Sequence, residues 1–159
     1  MKKIIFLFLM FSAIVFAKWE VEYSYTKSGD DLIVFVTTSL GSTNFSSIRV
    51  GVNVKYDYST VLIESINIDE DDNIALIITD NEGNDIYCNF YPDDIEDYCV
   101  NVPSNRASVL TKMLYNGKSA VLKNRYTDET LAKFDLKGIK QVMQKHVGSS
   151  YWYEYKLND

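Results

Sequence analysis

Two cysteines, one histidine and two runs of acidic side chains are the residues of this chain whose types and spacing could do chemistry. Cys88 and Cys99 are separated by ten residues, which does not fit a C-x-x-C redox or metal pair. In an exported chain an even pair of this kind is expected to form a disulfide. It would close a loop of about twelve residues and contribute about 3 kcal/mol in the chain-entropy account. A zinc site of ordinary composition needs more ligands than one histidine and two bonded cysteines provide. His146 is also the only partner for a Ser–His or Cys–His nucleophile, and no G-x-S-x-G elbow accompanies it. The plainer expectation is a histidine at the negative end of a helix. No catalytic residue, cofactor or enzyme activity is expected. The alternative, acid–base chemistry of an unseen type, requires two carboxylates placed across a cleft.

The acidic runs are Asp69-Glu70-Asp71-Asp72 and Asp93-Asp94-Ile95-Glu96-Asp97. Oxygen-rich loops suit Ca²⁺ outside the cell, so Asp69, Asp71, Asp72, Asp93, Asp94 and Asp97 are candidate ligands of a calcium-dependent structural or adhesion domain. Neither run has the D-x-D-x-D-G order of an EF-hand loop, and solvated turns are the plainer expectation. Thirteen acidic and no basic residues lie between Tyr56 and Asn105, whereas Arg106–Lys145 holds nine basic and three acidic ones. The chain is electrically split, with a net charge of −6. Nucleic acid is not an expected partner of so acidic a protein.

The elements that position these residues begin after residue 17. Lys2 and Lys3 precede an apolar run, Ile4–Phe16, and Val15 and Ala17 are small residues before Lys18. This is the pattern of a bacterial signal peptide over 1–17, cleaved to leave a single domain over 18–159. The run of about thirteen residues is shorter than the ~20 that span a membrane, so no span is expected after cleavage. The mature chain is expected in the periplasm or outside the cell.

Period-two alternation then predicts strands over 19–26, 32–39, 47–58, 60–68, 74–79 and 85–91, the fifth being nearly all apolar and hence central. Residues 92–103 read as a loop between Pro92 and Pro103. Ala107, Leu110, Met113 and Leu114 share a helical face, so a short helix is expected over 104–116, with Ser104 as cap and Gly117 as terminator. Strands follow over 118–126 and 130–134. The last period change gives a closing helix over 135–147, with Asp135 as N-cap and Leu136, Ile139, Val142, Met143 and Val147 on its apolar stripe. Lys137, Lys140 and Lys145 lie on its other face. Together with Tyr151, Trp152 and Tyr153 of the aromatic tail they form a candidate partner surface. For the tail itself a last edge strand, or a partly ordered end, is the plainer expectation. The expected fold is mainly β: a β-sandwich-like domain of about eight antiparallel strands with these two helices.

Trp19, the strand SGDDLIVFVTTS, the segment ASVLTKMLYNGKSAVLKNRY and the ending AKFDLKGIKQVMQ resemble, in layout, small exported β-sandwich proteins of the invasion-associated locus B type. They also resemble periplasmic accessory proteins found beside type VI secretion systems. The most specific match is Phe134, Leu136 and Gly138 in an F-x-L-x-G pattern leading into a helix. The chain departs from the secretion-accessory pattern in having no cysteine in SSIRVGVNVKY and none after the closing helix. The resemblance implies a small non-catalytic exported binding or accessory module, tied to a protein or another envelope component. It carries over no catalytic residue.

Overall fold

The structure, a computed structural model, describes residues 19–41 and 45–148. Residues 1–17, where a signal peptide is expected, and the tail residues Tyr151, Trp152 and Tyr153 lie outside these residues. Ten strands, two α-helices and one 3-10 turn are found among those described. The strands are β1 (Glu20–Tyr25), β2 (Asp31–Thr38), β3 (Ser46–Asn53), β4 (Tyr58–Ser65), β5 (Ile74–Asp80), β6 (Asp85–Phe90), β7 (Ile95–Glu96), β8 (Cys99–Val102), β9 (Gly117–Asn124) and β10 (Thr130–Asp135). Helix α1 is Ser104–Asn116 and α2 is Ile139–Val147.

All strand pairs are antiparallel and fall into two sheets. Sheet A has the order β1-β2-β3-β4-β8-β7, and sheet B the order β10-β9-β5-β6. The first four strands form a meander. The chain then crosses to sheet B for the β5–β6 hairpin, returns to sheet A for β7 and β8, and crosses again through α1 to β9. This is the expected sandwich-like, mainly β architecture with a closing helix.

Alternation sets the inner faces. Phe35, Ile48, Val50, Val52, Ile63 and Val100 are buried on sheet A, and Ile74, Leu76, Ile78, Leu122 and Phe134 on sheet B. The sheets meet at one side, where Leu40 N–H donates to the Lys133 carbonyl at 2.8 Å. Elsewhere α1 fills the space between them, resting on β4 and facing β5 and β9. Its buried Thr111 hydroxyl donates to the Ala107 carbonyl and lies 2.8 Å from the Ser59 hydroxyl, so neither group is left unpaired in the core.

Helix α1 runs into β9 with no loop between them. A Cβ at Gly117 would stand 2.6 Å from Leu136 Cδ1 and 2.8 Å from Ile78 Cγ2. Only a residue without a side chain fits.

Four sequence expectations are corrected. First, α2 begins at Ile139 rather than 135. Strand β10 continues to Asp135, whose carboxylate accepts from Lys137 N–H in a turn, and the N-cap is Gly138 at φ 90°. Second, α1 has Pro103 at its N-cap, and the Pro103 carbonyl takes the first N–H groups. Third, residues 92–103 contain β7 and β8. Their two-residue turn places Asp97 and Tyr98 at φ 48° and 66°, the hairpin geometry for which Asn-Gly is the usual signal. Fourth, β3 ends at Asn53. Its side chain accepts from Tyr56 N–H and donates to the Asp31 carbonyl, closing a turn inside the expected strand.

The expected disulfide is also absent: both thiols are free. Cys88 lies on the inner face of sheet B, its thiol donating to Met113 Sδ of α1 at 3.2 Å. Cys99 is paired opposite Glu64 on the outer face of sheet A. The ten intervening residues carry the chain from one sheet to the other, so the two side chains face different surroundings.

Replacing Gly117 with alanine is expected to lower unfolding free energy by about 1–3 kcal/mol, the usual cost of overpacking. Chemical denaturation of the two proteins measures it.

Candidate functional site

The outer face of sheet B is the open surface on which chemically diverse side chains converge. Because Ala120 and Leu122 point into the core, Ser119, Val121 and Lys123 of β9 must point out. Cross-strand register adds Ala75 and Ile77 from β5, Tyr87 and Asn89 from β6, and Lys133 from β10. The centre is an apolar strip of Ala75, Ile77 and Val121. Around it stand a 61 % exposed tyrosine, Tyr87, and the cations Lys123, Arg125 and Lys133. A depression of about 310 Å³ lies between Tyr87, Asn89, Lys123, Arg125 and the carboxylate of Asp128.

The loop carrying Arg125 is fixed from below. Asn124 Oδ1 accepts from Tyr126 and Thr127 N–H, Asn124 Nδ2 donates to Asp72 Oδ1 at 2.6 Å, and Arg125 N–H donates to the Asn73 carbonyl. Lys123 Nζ lies 2.6 Å from Asp128 Oδ1, an exposed pair of small energetic weight. The Arg125 guanidinium has no ion pair among the described residues. Such a face can hold an anion through its cations while Tyr87 and the apolar strip supply contact area.

The acidic candidates are dispersed. Asp72 holds the Asp69 N–H as well as Asn124, and Asp94 accepts from Tyr91 N–H and pairs with Arg106 at 3.2 Å. Asp97 forms the β7–β8 turn, while Asp71 and Asp93 are exposed. Among the described residues no three His, Cys, Asp or Glu side chains come together as an ion site.

The three lysines of the closing segment do not share a face. Lys137 precedes the helix, and Lys140 Nζ sits 5.2 Å over the Tyr115 ring. Lys145 borders a groove between α2 and β1 with Trp19, Val21 and His146. Residues 140 and 145 are five apart, roughly 140° around a helix. His146 packs edge-on to Phe35 at 6.3 Å between ring centroids. Burial pushes the Cys88 thiol up to about 11. Burial, with Glu64 and Asp97, raises that of Cys99. Both are therefore poor sources of thiolate at neutral pH.

Lys123, Arg125 and Lys133 were not singled out by sequence reasoning. The available signal was the placement of Lys123 and Lys133 next to the inward Leu122 and Phe134 of their strands; Arg125 lies past the end of β9 and carried none.

On the opposite side of the molecule, Arg49 joins three strands, pairing with Glu64 at 2.9 Å and Glu22 at 3.1 Å. Burial raises the Glu64 carboxyl, but the Ser47 hydroxyl and the Arg49 guanidinium outweigh it and hold the group below its usual 4.5.

Among the described residues no helix is long and apolar enough to cross a membrane. No protein family, curated protein or solved structure matches the chain.

A depressed carboxylate stabilises the fold above its unfolded value, and that contribution is lost as pH falls through the folded one. Glu64→Gln is therefore expected to be less stable than the parent at pH 7, and the difference should shrink toward pH 3. Thermal melts across that range measure it.

Proposed function

We propose that the chain is an exported, non-catalytic binding module of the bacterial envelope, and that the outer face of sheet B holds an anionic envelope component. One observation carries this reading: a protein of net charge −6 gathers Lys123, Arg125 and Lys133 around the half-buried Ile77 and Val121 and an exposed tyrosine. Electrostatic attraction brings an acidic polymer to this face against the overall charge, and Tyr87 and Ile77 supply the contact that salt does not screen.

The non-catalytic reading is supported by the state of the nucleophile candidates. Both thiols are shifted up, and His146 lies edge-on to Phe35. Export is supported by the pattern of residues 1–17 and by the layout resemblance to small exported accessory proteins.

The test is retention on an immobilised acidic polysaccharide such as polygalacturonate, with a neutral glucan as control. Hydrogen bonds to charged groups contribute roughly 1.5–3 kcal/mol each, so Arg125→Glu with Lys133→Glu should weaken binding by at least about tenfold. Lys137→Glu with Lys145→Glu should leave it within about twofold. Loss of retention in the second variant but not the first would place the site on α2 instead.

A further inference from the structure

The two sheets have four edges, and three of them are blunted. Strand β7 is two residues long. The outward Lys133 carbonyl of β10 is taken by Leu40 N–H from the β2–β3 connection. The Asn89 carbonyl of β6 is taken by the Arg106 guanidinium of α1. Strand β1 has none of these devices. It is six residues long, unbulged and free of proline and lysine, and among the described residues nothing covers it. Proteins ordinarily protect such an edge.

The hydrogen-bond pattern fixes which groups β1 offers. Thr26 N–H donates to the Asp30 carbonyl, so Thr26 points toward β2. By alternation Ser24 and Glu22 do the same, leaving the N–H and C=O of Val21, Tyr23 and Tyr25 directed outward. On the core face those same residues present two largely exposed rings, Tyr23 at 73 % and Tyr25 at 72 %.

We infer that β1 pairs antiparallel with β1 of a second copy of this chain, about a two-fold axis at Tyr23. In this register Tyr23 faces the partner's Tyr23 and Val21 faces the partner's Tyr25, so every outward group of these residues is matched. Glu22 faces the partner's Ser24, and Glu20 the partner's Thr26, so no acids oppose each other. A two-residue slip one way sets Glu22 against the partner's Glu22; the other way gives up both Val21–Tyr25 pairs. A one-residue slip would turn the aromatics onto the charged face.

The groove of about 430 Å³ between β1 and α2 lies beside Val21, lined also by Val142 and His146. The partner's Tyr25, opposite Val21, enters it. Pairing makes one continuous sheet of the two copies and covers four tyrosine rings that each copy alone leaves in water.

The test is the mass of the chain in solution, in the form the cell processes, by sedimentation equilibrium. The parent should be dimeric at about 100 μM, as befits a small strand-to-strand interface. Tyr23→Lys and Tyr23→Glu should each be monomeric, since like charges then face each other across the axis. An equimolar mixture of the two should regain the dimer mass. Both substitutions are at an exposed position, and unchanged circular-dichroism melts will show that each variant folds. A monomeric parent, a dimer indifferent to both substitutions, or a mixture that stays monomeric would each overturn the inference. So would a chain that dimerises only when cut after Gly148, which has its own tail on this edge.

Discussion

The absence of a side chain at Gly117 is the constraint on which the rest of the molecule depends. Helix α1 must lie between the sheets, because Ala107, Leu110 and Leu114 have no other apolar surface to meet. The chain must then enter the middle of sheet B at once, since β9 starts at the next residue. Leu136 and Ile78 close over the junction at distances that admit hydrogen and nothing larger. Leu136 lies in the short connection to α2, so the same contact sets where the closing helix begins. One glycine thereby joins α1, β5, β9 and the β10–α2 turn.

Much of this architecture was legible in the residues. Wherever one face is buried and the other wet, alternation identified the strand, as in β3, β4 and β5. Helix α1 was legible to its ends because its apolar residues repeat at helical spacing and Gly117 follows. What failed did so for local physical reasons. Asp135 resembles a helix cap, but its carboxylate closes a turn that delays the helix by one turn. The β7–β8 hairpin is held at its corner by the Ser65 N–H on the Tyr98 carbonyl rather than by favourable turn residues, so its Asp97-Tyr98 corner carried no signal. The cysteines obey the usual arithmetic of a pair, yet the path between them changes sheets. The basic face was visible only as a surplus of Lys and Arg; its assembly required the register of β9 on β5.

Sheet B also explains what the electrical split along the chain accomplishes. Strands β5 and β6 come from the acidic half and β9 and β10 from the basic half, and the two pairs meet side by side at the β9–β5 junction. The acids collect at the hairpin end, where Asp80 accepts from the N–H groups of Glu82 and Asn84. Lys123 and Arg125 stand at the opposite end, near Asn124, where Asp72 and Asp128 meet Asn124 and Lys123, and Lys133 lies at mid-strand opposite Val121. A segregation that looks like two blocks in one dimension becomes two adjoining strand pairs within one sheet.

The order of strands within the two sheets has a kinetic meaning. In sheet A the first four strands pair with their immediate neighbours, so their contacts close short loops and need little of the chain. In sheet B the central pair is β5 with β9, whose partners are separated by the whole β6–α1 segment. That segment includes α1, whose Thr111 hydroxyl meets Ser59 of β4. Non-local closures of this kind slow folding. The meander thus closes short loops, whereas the β5–β9 pairing, which brings Lys123 to its place, closes a long one.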